Sequence, residues 1–168
     1  MAILYGATVF ESPNNPVNYD GGKVIGDNSE AFTTGDPVTI ESGGTLAVAG
    51  TTNSVYGVVQ KTQTMASDNE TVAKVKPVCI PTDMDYQWLM GTNADLSPLT
   101  SLGVYYKLTT ATTGAVQVDV TSGAQTTSNR VVVCTAVDPN ALGGTGSGSG
   151  LRQGLFKFVK VSNIRTDD

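Results

Sequence analysis

Residues 32–59 read FTTGDPVTIESGGTLAVAGTTNSVYGVV, and this stretch decides the fold class. Three short apolar runs are separated by glycine and small polar residues, a pattern typical of strands joined by turns. In the first run Val38 and Ile40 alternate with polar residues, as in a strand with one buried face. Gly43 and Gly44 follow, and glycine tolerates the positive φ angles of a tight turn. The stretch therefore predicts three linked antiparallel strands, the core of a small twisted sheet or barrel.

The rest of the chain repeats this pattern of short apolar runs and turns. Gly57, inside the third run, suggests a β-bulge or a close approach of another backbone. Residues 104–110 and 115–121 flank the tetrapeptide ATTG and predict a hairpin. Residues 130–137, RVVVCTAV, are continuously apolar in their centre and predict a strand buried on both faces. Residues 151–164 predict a final amphipathic strand.

Composition supports the same fold class for the 168 residues. Charged residues make up only 15%, against about 25% in an average domain. Threonine, serine and 19 glycines replace them, which favours strands and turns. We expect an all-β protein, a small antiparallel barrel or sandwich, with one brief helical turn at 93–103. Residues 1–30 are predicted to form an extended N-terminal arm and residues 31–168 a β-rich domain, with a possible boundary near residue 66 and a flexible Gly/Ser loop at 140–150.

The charge pattern argues against several classes of function. The net charge is −5, the sequence pI is about 4.5, and lysines and arginines never stand side by side. Nucleic-acid binding is not expected, because it needs a basic surface. The chain has no histidine, so the commonest general base and metal ligand is missing. We therefore predict no enzymatic activity and no cofactor. Neither a signal peptide nor a membrane-spanning segment is expected, since no apolar run is long enough.

Two cysteines and three aspartates are possible sites in this sequence. Cys79 and Cys134 have apolar, β-branched neighbours, which predicts two buried free thiols, and a disulfide between neighbouring strands stays open. No metal or disulfide is expected to be needed for folding. Asp83 and Asp85 would point the same way in a strand and could share a calcium ion, with Asp95 nearby. The alternative is that these carboxylates are solvated loop residues.

Two groups of aromatic residues raise further alternatives. Four of the ten basic residues lie in the last 17 positions and alternate with Phe156 and Phe158, as in single-stranded nucleic-acid binding. The preferred interpretation is a strand whose lysine stems cover apolar surface or which pairs with an acidic partner. In a carbohydrate-binding β-sandwich, four aromatic side chains would form a platform on which a sugar ring stacks. The alternative for Trp88, one of the four, is packing in the core. The residues concerned are Arg152, Lys157, Lys160 and Arg165 in the first group, and Tyr86, Trp88, Tyr105 and Tyr106 in the second.

Residues 35–60 also carry a family resemblance. They resemble the β-barrel core of tailed-bacteriophage head decoration proteins, also called capsid cement proteins. Those proteins show a G-D-x-V segment, a G-G-x-L turn and a G-V strand after the next loop. This stretch is 26 of the 168 residues. The matching positions are Gly35, Asp36, Val38, Gly43, Gly44, Leu46, Gly57 and Val58.

The resemblance implies a virion structural protein made in the host cytoplasm and bound to the capsid exterior. Such a subunit would form a homotrimer, bind several major capsid proteins and hold the shell against packaged DNA. An apolar strand at a chain end can add to a neighbour's sheet, so residues 1–20 are the candidate contact with the capsid or a neighbouring subunit. The alternative is an ordinary first strand of the subunit's own barrel. A head-fibre or tail component is the other virion candidate. The contact residues are expected to be Ile3, Leu4, Tyr5, Val9 and Phe10.

Overall fold

The structure is a computed structural model that describes residues 7–11, 30–64, 79–81, 87–97, 99–111, 114, 116–137 and 151–161. Within these residues the chain forms twelve strands and one 3₁₀ turn, Thr127–Asn129. The all-β prediction is therefore confirmed. The strands are β1 Ala7–Glu11, β2 Ala31–Phe32, β3 Pro37–Ile40, β4 Leu46–Val48, β5 Gly57–Val59, β6 Gln63–Thr64, β7 Cys79–Pro81, β8 Gln87–Leu96, β9 Tyr105–Thr110, β10 Val116–Asp119, β11 Val132–Ala136 and β12 Leu151–Phe158.

The second half of the chain closes into a five-stranded barrel in the order β8-β10-β9-β11-β12, with β12 pairing back onto β8. Four of the five pairings are antiparallel, whereas β10 runs parallel to β8, with Val118 opposite Thr92. A ring with an odd number of strands cannot alternate direction all the way round. The barrel is therefore mixed, and the β8–β10 pairing is its one departure from the expected antiparallel arrangement.

The ten-residue strand β8 joins the barrel to the N-terminal strand. β12 pairs along one edge of β8, from Leu96 to Trp88. β1 and β10 share the other edge: Val9 lies opposite Trp88, and Val118 follows at Thr92. β1 is antiparallel to β8 and has a register shift between Val9 and Glu11. This arrangement makes β1 an extension of the barrel wall.

The first half of the chain forms a four-stranded antiparallel sheet, β4-β3-β5-β7, and a two-stranded sheet, β2-β6. The predicted turn between β3 and β4 is confirmed, because the Gly44 amide donates to the Glu41 carbonyl oxygen at 2.9 Å and Gly44 has φ 79°. Gly57 begins β5 and pairs in continuous register with Val38 and Pro81, so the predicted bulge is not there. The cement-like motif thus lies in this sheet and not in the closed barrel.

One hydrophobic core joins the barrel to the sheet. Trp88 packs edge-on against Phe158 with ring centroids 5.8 Å apart, and Tyr106 against Phe156 at 6.4 Å. Ala49, Val55 and Val58 belong to the same buried cluster although they come from the first half of the chain. A second, smaller buried cluster comprises Phe32, Val38, Leu46, Tyr56 and Val59.

Two element predictions need correction. Residues 93–96 continue strand β8, and the predicted helical turn is reduced to a turn at 99–103, with the Ser101 amide donating to the Ser97 carbonyl oxygen. β11 is not buried on both faces: Val132 and Cys134 point into the barrel, while Val133 and Thr135 are half-buried outside. A barrel wall has one inner face, so alternation follows from closure.

The β9–β10 hairpin is confirmed, with Val116 opposite Thr110. The predicted boundary near residue 66 and the Gly/Ser loop at 140–150 lie outside the described residues.

Candidate functional site

The turn at 33–36, the first part of the cement-like motif, connects three parts of the fold. The Asp36 amide donates to the Thr33 carbonyl oxygen at 2.9 Å, and the Thr33 amide donates to Asp36 Oδ2 at 2.8 Å. Gly35 has φ 93°, a backbone conformation that residues other than glycine rarely adopt. Its carbonyl oxygen accepts from the Ala7 amide in β1, and its amide donates to Val59 in β5. Gly35 is therefore the point where β1 meets the sheet.

Asp36 is buried at this junction, with 3% of its surface exposed. Its Oδ1 has no hydrogen-bond partner among the described residues. Burial raises the pKa of Asp36 above its ordinary value, and the backbone amides of Thr33 and Val116 offset part of that effect, while Glu30 adds to it. Because Val116 begins β10, the carboxyl group faces the barrel as well as its own turn.

The other motif residues build the sheet. Val38, Leu46 and Val58 are fully buried. Gly43 and Gly44 form the turn between β3 and β4, and Gly57 starts β5. The motif residues thus have roles in folding, and the motif brings no chemically reactive pair together.

The predicted capsid contact falls only partly within the described residues. Ile3, Leu4 and Tyr5 lie outside them, and Val9 and Phe10 lie in β1. β1 pairs with β8 of its own chain, as in the alternative interpretation of an ordinary first strand. Among the described residues β1 is the last strand of its sheet, and its Ala7 amide donates to the Gly35 carbonyl oxygen.

A polar cluster that sequence reasoning missed surrounds Asp119 at the end of β10. Asp119 Oδ1 accepts from Asn93 Nδ2 at 2.7 Å, Thr121 Oγ1 at 2.8 Å and the Ser122 amide at 3.1 Å. Oδ2 accepts from Ser122 Oγ at 2.5 Å and lies 3.5 Å from Lys107 Nζ. Asn93 Oδ1 in turn accepts from the amides of Val120 and Thr121. The cluster ties the turn after β10 to β8.

The cluster keeps Asp119 ionised. Burial alone would raise the pKa of Asp119, but the hydrogen bonds from Ser122, Asn93 and Thr121 together outweigh it and lower the pKa to about 2. Such a group is neither an acid nor a base near neutral pH, so its role is to hold the turn. The sequence signal was DVTSG at 119–123, an aspartate followed by Thr, Ser and Gly, which is a turn pattern.

Burial removes the aromatic platforms proposed from the sequence. Trp88 and Tyr106 are 0% and 4% exposed, so they cannot stack on a sugar. Tyr105 is half-buried beneath the Arg130 guanidinium, 4.2 Å from its ring centroid, and Tyr86 lies outside the described residues. Phe156 and Phe158 are fully buried and cannot stack on bases. The confirmed alternative is core packing of Trp88.

The basic residues near the C-terminus do not act together in the described part of the chain. Lys157 and Lys160 are half-buried, Arg152 lies in β12 and Arg165 is outside the described residues. Lys160 Nζ donates to the carbonyl oxygens of Thr52, at 2.5 Å, and Ser128, at 3.3 Å. Lys160 thereby holds two loops together from opposite halves of the chain.

The remaining candidates were the thiols and the carboxylates. Cys134 is a buried free thiol, as predicted, and burial raises its pKa to about 11. Cys79 lies in β7. Asp83 and Asp85 fall outside the described residues, and Asp95 is exposed. Over the part of the chain that the structure describes, no three His, Cys, Asp or Glu side chains gather as a metal site would require, and no helix could cross a membrane.

One exposed apolar feature stands apart from these structural clusters. Leu99 and Leu102, on the turn between β8 and β9, are 94% and 53% exposed. The site features are therefore the junction at Gly35 and Asp36, the cluster around Asp119 and this leucine turn.

A comparison with models of known protein families, with curated proteins and with solved structures found no significant match.

Proposed function

We propose that this protein is a virion structural protein that decorates the outside of a bacteriophage head and stabilises the shell by bridging major capsid proteins. The single observation that carries the proposal is the cement-like motif, whose residues 35–58 fold as one continuous antiparallel sheet. Gly35 and Asp36 form its first turn, and Val38 and Val58 lie in its core. The proposed role requires no catalysis and no cofactor.

The way in which the two halves of the chain interlock supports this role. A subunit that bridges capsid proteins has to transmit tension without opening. The Val55 amide donates to the Lys160 carbonyl oxygen at 2.8 Å, and the Leu108 amide to the Thr51 carbonyl oxygen at 3.0 Å. With Lys160 Nζ on Thr52, these contacts fasten the loop at 51–55 to the barrel and to the last strand. Pulling on either half therefore loads several hydrogen bonds at once.

The state of the buried ionisable groups is also consistent with a scaffold. Asp119 is held ionised by a cluster that serves a turn, and the Cys134 thiol, with its pKa near 11, is a poor nucleophile at neutral pH. Asp36 caps a turn. Each of these groups is occupied in maintaining the fold.

Assembly as a homotrimer would explain how modest contacts hold the shell. Each subunit has a small surface to offer, but three contacts joined in one trimer bind at high effective concentration. Crosslinking neighbouring capsid proteins from outside opposes the pressure of the DNA without any contact to the DNA.

Co-sedimentation with heads that lack decoration tests this function. The purified protein is mixed with empty and with DNA-filled heads, and an unrelated acidic β protein serves as the control. We expect binding that saturates at a fixed number of copies per head and is equal for empty and filled heads, because the site is outside. Failure to co-sediment at concentrations up to about 10 µM, where even a modest Kd would give binding, would overturn the proposal.

A pair of truncations tests the proposed contact through the N-terminus. Deleting residues 2–6 removes Ile3, Leu4 and Tyr5 but leaves β1, whereas deleting residues 2–12 also removes a strand that pairs with β8. We expect the shorter deletion to stay folded by circular dichroism and to bind heads more weakly. The longer deletion should in addition lower the melting temperature. Full saturation of heads by the folded shorter deletion would exclude Ile3, Leu4 and Tyr5 as contacts.

A further inference from the structure

The N-terminal strand β1 lies outside the closed ring of barrel strands. The ring runs β8-β10-β9-β11-β12 and back to β8, so it is complete without β1. β1 pairs with the β8 residues from Gln87 to Met90, and β10 joins the same edge of β8 further along, at Thr92. β1 can therefore leave β8 without breaking any of the five pairings that close the barrel.

A single backbone hydrogen bond joins β1 to the first half of the chain within the described residues. The Ala7 amide donates to the Gly35 carbonyl oxygen at 2.6 Å. The turn at 33–36 that accepts this bond is itself firmly held to β5. The Gly35 amide donates to the Val59 carbonyl oxygen at 2.8 Å, and the Val59 amide donates to the Asp36 carbonyl oxygen at 2.9 Å. The turn is therefore a fixed catch, and β1 is the part that can move.

The catch contains a buried carboxylate with one unsatisfied oxygen. Asp36 Oδ2 accepts from the Thr33 amide, but Oδ1 has no hydrogen-bond partner among the described residues, and the residue is 3% exposed. A buried polar atom without a partner costs free energy that contact with water would relieve. Ala7, also buried, is bonded to the neighbouring Gly35, so departure of β1 opens this junction to water. The unsatisfied oxygen therefore favours the open position of β1.

We propose that β1 is a strap that opens locally from β8 and from the catch at Gly35, while the five-stranded barrel stays closed. The open state exposes the β8 edge from Gln87 to Met90 and hydrates Asp36 Oδ1. Local opening of this kind requires less free energy than global unfolding. The two interpretations of β1, a strand of the subunit's own sheet and an extended arm, then correspond to its closed and open positions. The inference concerns the isolated protein and does not depend on the decoration function.

Amide hydrogen exchange of the full chain, followed by mass spectrometry, tests the inference. β11 serves as the internal reference, because it lies within the closed ring. After correction for intrinsic exchange rates, the β1 amides should exchange at least ~30-fold faster than those of β11 in the wild type. Three variants then test whether the catch controls β1: Asp36→Asn, Gly35→Ala and, as the matched control, Asp119→Asn. Circular dichroism checks that each variant is folded.

Asp36→Asn keeps an acceptor for the Thr33 amide and removes the buried charge, so it should slow β1 exchange about 3-fold. Asp119→Asn is the same chemical change at a carboxylate whose two oxygens both have partners, and it should leave β1 exchange unchanged. Gly35→Ala places a Cβ at φ 93° and should speed β1 exchange at least ~5-fold.

Several results would overturn the inference. One is β1 exchange as slow as that of β11, since opening would then be global. Another is β1 exchange that Asp36→Asn does not slow, or that Asp119→Asn slows equally. If Gly35→Ala speeds β11 as much as β1, the catch holds the whole fold and not the strap. The two aspartate variants decide the matter alone if Gly35→Ala does not fold.

Discussion

At Asp36 a carboxyl group is buried in order to close a turn. The Thr33 amide needs an acceptor there, and Asp36 Oδ2 supplies it at 2.8 Å. The same burial leaves Oδ1 without a hydrogen bond among the described residues and raises the pKa of the group. Asp36 thus stabilises the turn by accepting a hydrogen bond from the Thr33 amide, and it destabilises the fold because its negative charge is buried.

Two substitutions separate these opposing effects. Asp36→Ala removes the acceptor and should lower the free energy of unfolding by about 1–3 kcal/mol. Asp36→Asn keeps an acceptor and removes the charge, so it should lie within about 1 kcal/mol of the wild type at neutral pH. Urea unfolding of both variants measures this. Equal losses for the two variants would mean that the carboxylate charge itself is required.

The sign of the pH dependence follows from the raised pKa of Asp36. The cost of its charge is present above the folded-state pKa and is relieved as the pH falls through that value towards the ordinary 3.8. The wild type should therefore gain stability relative to Asp36→Asn as the pH is lowered. A relative loss of wild-type stability over that range would contradict the burial of the charge.

Asp119 should show the opposite pH dependence. Its pKa is lowered from 3.8 to about 2, so its contribution is complete above 3.8 and is lost as the pH falls towards 2. At neutral pH, Asp119→Asn should cost about 2 kcal/mol at most, and the difference from the wild type should shrink below about pH 4. Urea unfolding at several pH values measures it. A difference that stays constant down to pH 2 would show that the ionised form is not favoured by the cluster.

At the scale of elements, the barrel depends on the closing contact between β8 and β12. Gly154 lies opposite Met90 there, and a Cβ at Gly154 would be 2.7 Å from Leu96 Cδ1 and 3.0 Å from the Ala136 carbonyl oxygen. The leucine methyl can move, but the backbone oxygen cannot move easily. Glycine at position 154 therefore allows β12 to lie close to Leu96 of β8 and to Ala136 of β11.

Gly154→Ala should destabilise the protein by about 1–3 kcal/mol through overpacking at this closing contact. Gly43→Ala is the matched control, because a Cβ at Gly43 meets nothing within 4 Å. The control should melt within about 2 °C of the wild type, the shift expected for a fraction of a kcal/mol. Thermal unfolding of both variants measures the effect. Equal melting temperatures for Gly154→Ala and the wild type would mean that the barrel relaxes freely at β12.

Elements with local signals could be predicted from sequence. The turn at Gly43–Gly44 and the β9–β10 hairpin follow from glycine position and alternation over a few residues. The parallel pairing of Val118 with Thr92 could not be foreseen, because it results from closing five strands into a ring. Asn93 lies in strand β8, although the sequence predicted a helical turn there. Its hydrogen-bond partner Asp119 is far along the chain, so no local signal indicated the strand.

At the scale of the whole molecule, the prediction of an all-β fold succeeded. For the strands around Gly35 the sequence left a small sheet or a barrel open and the resemblance implied a barrel; the structure places the motif in a sheet, and the barrel forms from strands β8 to β12. Val58 and Trp88 are buried in one cluster, so both halves of the chain contribute to one hydrophobic core. The exposure of Leu99 could not be predicted, because an apolar residue in an apolar run predicts burial, and only the fold shows that its side chain is exposed.

The central claim concerns the molecule as a bridge between capsid proteins. Whether it resists internal pressure can be measured directly by heating DNA-filled heads, with and without saturating protein, and following DNA release by the fluorescence of an intercalating dye. The account predicts release at a higher temperature for decorated heads, because bound subunits hold neighbouring capsid proteins together. Release at the same temperature with and without bound protein would contradict the account.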